Sequence, residues 1–158
     1  MKIVFDIETD GFLSSMTLVH CFATLDVDTN EVFEFRDNIQ SGIEYLEKAE
    51  LLIGHNIRKF DIPGIKKIYN FNPKGEIFDT LEYARKIWPK IIEDDNKEER
   101  IPLELRGRHS LKAWGYRLGN QKGDYTGPWD TYSEEMMVYC VQDVKVTYEL
   151  WKKIKLEL

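Results

Sequence analysis

The apolar run Ile3-Val4-Phe5 ends in two carboxylates, Asp6 and Glu8, and no other stretch restricts the fold of this chain so tightly. The run reads as a buried strand. Strand side chains alternate between faces, so Asp6 and Glu8 point the same way, one repeat (~6.6 Å) apart. In Y-C-V-Q-D, within a helical stretch, Tyr139 and Asp143 are four residues apart and stack on one helix face. Asp61, followed by Ile62 and Pro63, reads as a helix start, since Pro is tolerated in a first turn and Asp caps well. Two acids on a strand end, one at a helix start and one in mid-helix are how a chain assembles a divalent-metal site from distant segments. Hard cations such as Mg²⁺ need that oxygen-rich shell, and phosphoryl chemistry uses two of them ~3.5–4 Å apart.

Each residue taken alone has a plainer reading. A single D-x-E is a solvated pair, Asp61 is a helix N-cap, and Tyr139 with Asp143 is a surface hydrogen-bonded pair. His20, His55 and His109 stand isolated, as satisfied core or cleft histidines do. The four tryptophans read as core or loop anchors, and E-D-D-N-K-E-E (93–99) as a solvated loop without calcium-loop spacing. Phosphate-loop, serine-hydrolase and dinucleotide motifs are missing. The joint order of the carboxylates is what outweighs the plain readings.

The chain's 158 residues suffice for one domain, 1–158, and no linker divides them. Two cysteines without ligand spacing point to a reduced intracellular protein. No apolar run approaches ~18 residues and no signal-peptide core is present, so a soluble, cytoplasmic protein without a membrane partner is expected. A net charge of −6 argues against nucleic acid, but charge is segregated. Between Arg100 and Lys122 six basic residues (Arg100, Arg106, Arg108, Lys112, Arg117, Lys122) face one acid, Glu104.

Pattern and turn residues predict strands over 2–7, 16–26 and 31–35, a short helix around Ile43–Glu47 and a buried strand L-L-I-G. Helices are expected from Asp61 to about Tyr69, from Asp79 through Trp88, from Ser110 as cap through H-S-L-K-A-W-G-Y-R-L-G, and from Ser133 to Ile154. The last should bury a stripe of Met137, Val141, Val144, Tyr148 and Trp151. Residues 90–107 read as irregular. The order predicts an α/β fold, a mixed sheet flanked by helices.

F-D-I-E-T, G-H-N-I-R-K-F-D and Y-C-V-Q-D resemble, in that order, the three exonuclease motifs of the DEDD superfamily in its tyrosine-bearing branch. H-S-L-K-A-W-G-Y-R-L-G-N-Q-K-G-D-Y and S-E-E-M-M-V-Y-C-V-Q-D-V-K-V-T resemble the N-terminal proofreading domain of family A DNA polymerases from phages of the T-seven type. No polymerase domain follows the last motif, which fits either a separately encoded nuclease or an excised domain. The resemblance implies a ribonuclease H-like exonuclease fold and a 3′–5′ exonuclease using two divalent ions, Mg²⁺ or Mn²⁺. Asp6 would bridge both ions, Glu8 and Asp143 complete one site, Asp61 hold the second, and Tyr139 orient water. Thr9 and Asn56 would position the terminal nucleotide, Phe12 wedge between the last two bases, and Phe60 support Asp61. Arg106, Arg108 and Lys112 would contact phosphates. The implied partners are single-stranded or frayed DNA 3′ ends and a DNA polymerase, in the host cytoplasm if the gene is a phage's. An exoribonuclease, or a module that docks onto a polymerase, are the competing readings. For Phe12, a plug in the core under the first loop competes with the wedge.

Overall fold

The computed structural model describes residues 1–121 and 124–158. Its centre is β1 (Lys2–Thr9), in a five-stranded sheet of order β3-β2-β1-β4-β5. β2 (Val19–Asp26) and β3 (Val32–Phe35) continue from β1 as an antiparallel meander. β4 (Leu51–Gly54) pairs parallel with β1, and β5 (Glu76–Asp79) parallel with β4. Parallel neighbours need a crossover, and α2 (Asp61–Ile68) supplies the one between β4 and β5. α1 (Ile39–Glu47), α3 (Thr80–Ile87), α4 (Ile91–Asp95), α5 (Leu111–Arg117) and the long α6 (Glu134–Glu157) complete the fold, the expected mixed sheet flanked by helices.

The alternation along β1 divides the interior in two. Ile3, Phe5 and Ile7 pack with Ile43 and Leu46 of α1 and Ile62 and Ile65 of α2. Val4, on the other face, packs with Ile53, Phe78 and the α6 residues Cys140, Val144 and Leu150. Burying side chains of this size contributes ~1.5–3 kcal/mol each. The same period of two sends Asp6 and Glu8 to the α6 face. On the opposite side, α1 seats Gly42 against the stacked rings of Phe22 and Phe35, 4.8 Å apart. A Cβ at Gly42 would lie 2.3 Å from the Phe22 ring, so only glycine permits this approach.

Three helices are capped where the sequence indicates: Asp79 accepts from the Leu81 N–H, Ser110 from Ala113 and Ser133 from Met136. Other expectations need correction. The strand expected from Met16 begins at Val19; Met16, 1 % exposed, plugs the core under the preceding loop instead. β5 was not expected, because Glu-Ile-Phe-Asp carries too little periodicity and becomes a strand through its parallel pairing with β4. Residues 90–107 are not irregular throughout: they form α4 and a 3₁₀ turn (Leu103–Leu105), and bury Ile91, Asp95, Ile101 and Leu105. Within the acidic run Asp95 is no solvated side chain; it takes two hydrogen bonds from Arg117, at 2.9 and 2.7 Å.

The buried face of α6 is rotated from the expected stripe. Met136, Met137, Cys140, Val144, Thr147, Leu150 and Ile154 are buried, while Val141, Tyr148 and Trp151 pack only partly. Thr147 fits the core because its hydroxyl donates to the Asp143 carbonyl at 2.8 Å. A buried polar residue so satisfied does not register in an apolar pattern.

Candidate active site

Every strand of the parallel half delivers a functional segment at the end that follows it. β1 carries Asp6 and Glu8 to the α6 face, and its pairing with β2 shifts register between Glu8 and Thr9, the last residue of the strand. β4 runs into His55-Asn56, and the chain then folds back into α2. Asp61 opens that helix but does not cap it: Phe60 holds the cap position, and no side-chain cap bond forms. The Asp61 carboxylate turns to the sheet instead, accepting the Ile7 N–H at 3.1 Å, between Asp6 and Glu8 in the chain. α6 presents Tyr139 and Asp143 one turn apart, and Cys140 between them touches Asp6, its Sγ 3.1 Å from the Asp6 carbonyl oxygen and 3.8 Å from Oδ2.

The charges of these acids bear on one another. Burial, then the charges of Asp143, Glu8 and Asp61, push the Asp6 carboxyl well above its usual range. Glu8, 7 % exposed, is pushed to about 9 by burial first and by Asp143 next. Asp61, 3 % exposed, rises to about 8, with burial outweighing the Ile7 hydrogen bond. Asp143 rises to about 7 through burial and the charge of Asp124. Burial and then Asp143 raise the Tyr139 phenol, which stays protonated at neutral pH. None of the ion pairs among the described residues includes any of the four acids. Carboxylates buried together without a basic partner stay ionised only beside a cation. The donor set is oxygen-rich and partly open to solvent, which suits a hard divalent ion such as Mg²⁺ or Mn²⁺.

The surrounding residues divide into those the fold brings to this cluster and those it does not. Thr9 follows Glu8 directly, and its hydroxyl bonds to Gly11, shaping the exit from β1. Asp10 closes the loop that follows, accepting from the Thr17 and Leu18 N–H groups and the Thr17 hydroxyl. Phe12 stands on that loop 83 % exposed; the core plug there is Met16, so the core reading of Phe12 is overturned. Asn56 has φ +63°, a left-handed conformation, and its N–H donates to Asp79. Phe60 is half-buried against the core beside Asp61.

The basic stretch does not form one free cationic face. Arg117 is buried against Asp95, Arg100 pairs with Glu98, and Lys112 with Asp124 at 2.8 Å. Arg106 donates to the Ile101 carbonyl and Arg108 to that of Glu104. Lys122 lies outside the described residues. Counting charge along the chain misses the partners supplied by residues 95–98 and 124. Of the three proposed phosphate contacts only Lys112 lines the cleft beside Tyr139 and Asp143, with Tyr116, Asn120, Asp124 and Gln142.

One position escaped the sequence reading, and a second, His55, is the satisfied cleft histidine expected but with partners the sequence does not name. Asp79, read as a helix opener, also accepts the N–H groups of Asn56 and Arg58 at 2.9 and 3.0 Å, and so shapes the loop leading to Asp61. His55, driven down to about 4 by burial, is neutral and joins Thr80 to the His109 carbonyl behind that loop. Neither role has a local signal, because both depend on β4 and β5 being neighbours.

The RNase_H_2 family, of the RNase_H superfamily, matches residues 3–155. The DNA-directed DNA polymerases of Escherichia phage T7 and Enterobacteria phage T3 are 32 % and 30 % identical over 96 % of this chain. The chain spans about a quarter of those relatives, 26 % of each. Among solved structures, the apo form of a nuclease superposes with a TM-score of 0.67 at 18 % identity, over 98 % of this chain and 72 % of that one. The catalytic core of RRP6 from Trypanosoma brucei gives 0.66 at 16 % identity, over 98 % and 40 %. At such identities the structural likenesses speak for the fold. The family match along nearly the whole chain shows that the protein belongs to the RNase_H_2 family of the RNase_H superfamily, and the structural likenesses agree with that fold.

Proposed function

We propose that the protein is a single-domain, metal-dependent 3′–5′ exonuclease that hydrolyses the terminal phosphodiester of single-stranded or frayed DNA and releases nucleoside 5′-monophosphates. The observation that carries this reading is the gathering of Asp6, Glu8, Asp61 and Asp143 with no basic partner among the described residues. Asp6, Glu8 and Asp143 would hold one divalent ion, and Asp6 with Asp61 the other. Bound there, such ions supply Lewis acidity and a hydroxide at neutral pH. The protonated Tyr139 orients the attacking water by hydrogen bonding. Thr9 and Asn56 position the terminal nucleotide, and the exposed ring of Phe12 stacks on the base next to the end. Lys112 exchanges Asp124 for a backbone phosphate, a contact that adds affinity without reading sequence. The polymerase relatives suggest a DNA polymerase as the working partner, in host cytoplasm.

The decisive experiment follows 5′-labelled DNA and RNA oligomers of one sequence, with and without a 3′-phosphate block, in Mg²⁺ or Mn²⁺. Stepwise shortening of the free DNA end, with nucleoside 5′-monophosphate as product, is expected. Faster loss of RNA would make it an exoribonuclease, and internal cuts in blocked DNA would end the exonuclease reading.

A further inference from the structure

Tyr139 must aim its hydroxyl at a water, so contacts on its ring have to carry its orientation. α6 fixes the backbone of Tyr139 but leaves the side chain a choice of staggered χ1 wells and a broad χ2. The segment before α6 meets that ring. Tyr125 lies with its ring 6.2 Å from the Tyr139 ring, tilted by 40°, and 4.8 Å from the Trp129 ring, edge to face. Both separations are ones at which aromatic pairs attract. The far end of Tyr125 is pinned as well: its hydroxyl donates to the Pro128 carbonyl and accepts from the Ser133 hydroxyl at 3.2 Å. Ser133 Oγ in turn accepts the Met136 N–H at 3.1 Å as the cap of α6, so one donor–acceptor chain runs from Tyr125 into the helix that carries Tyr139. Trp129 is tied to the sheet, its carbonyl oxygen 2.6 Å from Nε2 of the buried His20 in β2. The next residue, Cys21, pairs with Glu8 of β1.

We propose that Tyr125 is a positioning residue for Tyr139: supported by Trp129 and anchored on the α6 cap, its ring holds the Tyr139 ring in the rotamer that points the hydroxyl at the attacking water. This role rests on the hydrolytic reading of the site, in which Tyr139 orients that water. No atom of Tyr125 enters the reaction; it acts by limiting where the Tyr139 hydroxyl can be. A misplacement of about 1 Å in a reacting geometry can cost on the order of 10²-fold in rate, so a Tyr139 ring free to swing loses turnover while substrate binding persists. A Tyr125 that merely covered the core would change stability without any dependence on Tyr139.

The test is a double-mutant cycle on the whole protein, in Mg²⁺, with a 5′-labelled single-stranded DNA oligomer. Tyr125→Leu should lower kcat about tenfold and leave KM within about twofold, and Tyr125→Phe, which keeps the ring, should recover most of the rate. In a Tyr139→Phe background the same Tyr125→Leu change should cost less than about twofold, because the hydroxyl it positions is gone. Equal losses in both backgrounds, a raised KM with kcat intact, or no loss at all overturns the brace. Far-ultraviolet circular dichroism verifies folding. Should Tyr125→Leu not fold, Trp129→Leu, which removes an exposed ring, carries the same cycle with a kcat loss of roughly threefold that again needs Tyr139. A second readout needs no activity. In protein labelled with 3-fluorotyrosine, the Tyr139 fluorine signal, assigned by its disappearance in Tyr139→Phe, should narrow in Tyr125→Leu as the ring gains freedom and stay broad in Tyr125→Phe. An unchanged width overturns the brace whether or not the wild type cleaves DNA, which separates its failure from failure of the hydrolytic reading.

Discussion

Asp143→Asn should make the metal-free protein more stable while abolishing its activity. The Asp143 carboxyl has an ordinary value near 3.8 and lies at about 7 in the fold, raised by burial and then by Asp124. A raised acid binds more protons folded than unfolded, so its favourable contribution is whole below pH 3.8 and is lost as pH rises through about 7. Three decades of shift correspond to ~4 kcal/mol if that group ionises alone. Its neighbours Asp6, Glu8 and Asp61 are raised too and share the repulsion, so removing one charge should return on the order of 2 kcal/mol. For a chain of this size that is a rise in Tm of roughly 4–8 °C. The assay is thermal unfolding by circular dichroism, in chelator, at pH 5, 7 and 8.5. Wild-type Tm should fall across the series, the variant should fall less, and the gap should be smallest at pH 5. Adding Mg²⁺ should stabilise the wild type more than the variant and shrink or reverse the gap. A variant less stable than wild type at pH 8.5 in chelator would show that these carboxylates do not strain the fold, and the electrostatic account of the site would be wrong.

Other perturbations probe separate parts. Hydrolysis should require Mg²⁺ or Mn²⁺, with Ca²⁺ bound but nearly inert, and Asp6→Ala should be the most damaging single change; full activity in chelator, or in that variant, would show the site is misplaced. Phe12→Ala removes an exposed ring, so Tm should change little, but the preference for mismatched over paired ends should drop several-fold, since stacking contributes ~1–3 kcal/mol per base; an unchanged ratio would remove the wedge. Arg117→Ala strands the buried Asp95 carboxylate and should cost ~3–5 kcal/mol in denaturant unfolding, whereas a loss under 1 kcal/mol would mean solvent reaches the pair. Lys112→Glu should raise KM for oligonucleotides several-fold with a smaller fall in kcat, and steady-state kinetics over a salt series would expose a residue that touches no phosphate.

What the chain carries locally is periodicity, capping and motif order. The alternation in Ile3–Glu8 already placed both carboxylates on one face of a strand, and the four-residue spacing already stacked Tyr139 over Asp143. Ser110, Ser133 and Asp79 marked helix starts because a cap is a contact between near neighbours. Tertiary structure decided everything that depends on who lies beside whom. Asp61 turned from its own helix to the Ile7 N–H because α2 docks against β1. Glu76–Asp79 became a strand because β4 offered it a ladder, and Asp79 thereby came within reach of Asn56 and Arg58. Within the basic run Arg117 pairs with Asp95 and Lys112 with Asp124, 22 and 12 positions away, while Arg100 pairs with the nearby Glu98. Cys140 met Asp6 across 134 positions only once α6 lay on the sheet. Hydrophobic period and capping act over one or two turns of chain, so they survive in sequence; the pairing of polar groups is settled by the packed fold, where each buried donor or charge must find whatever partner the neighbouring element presents.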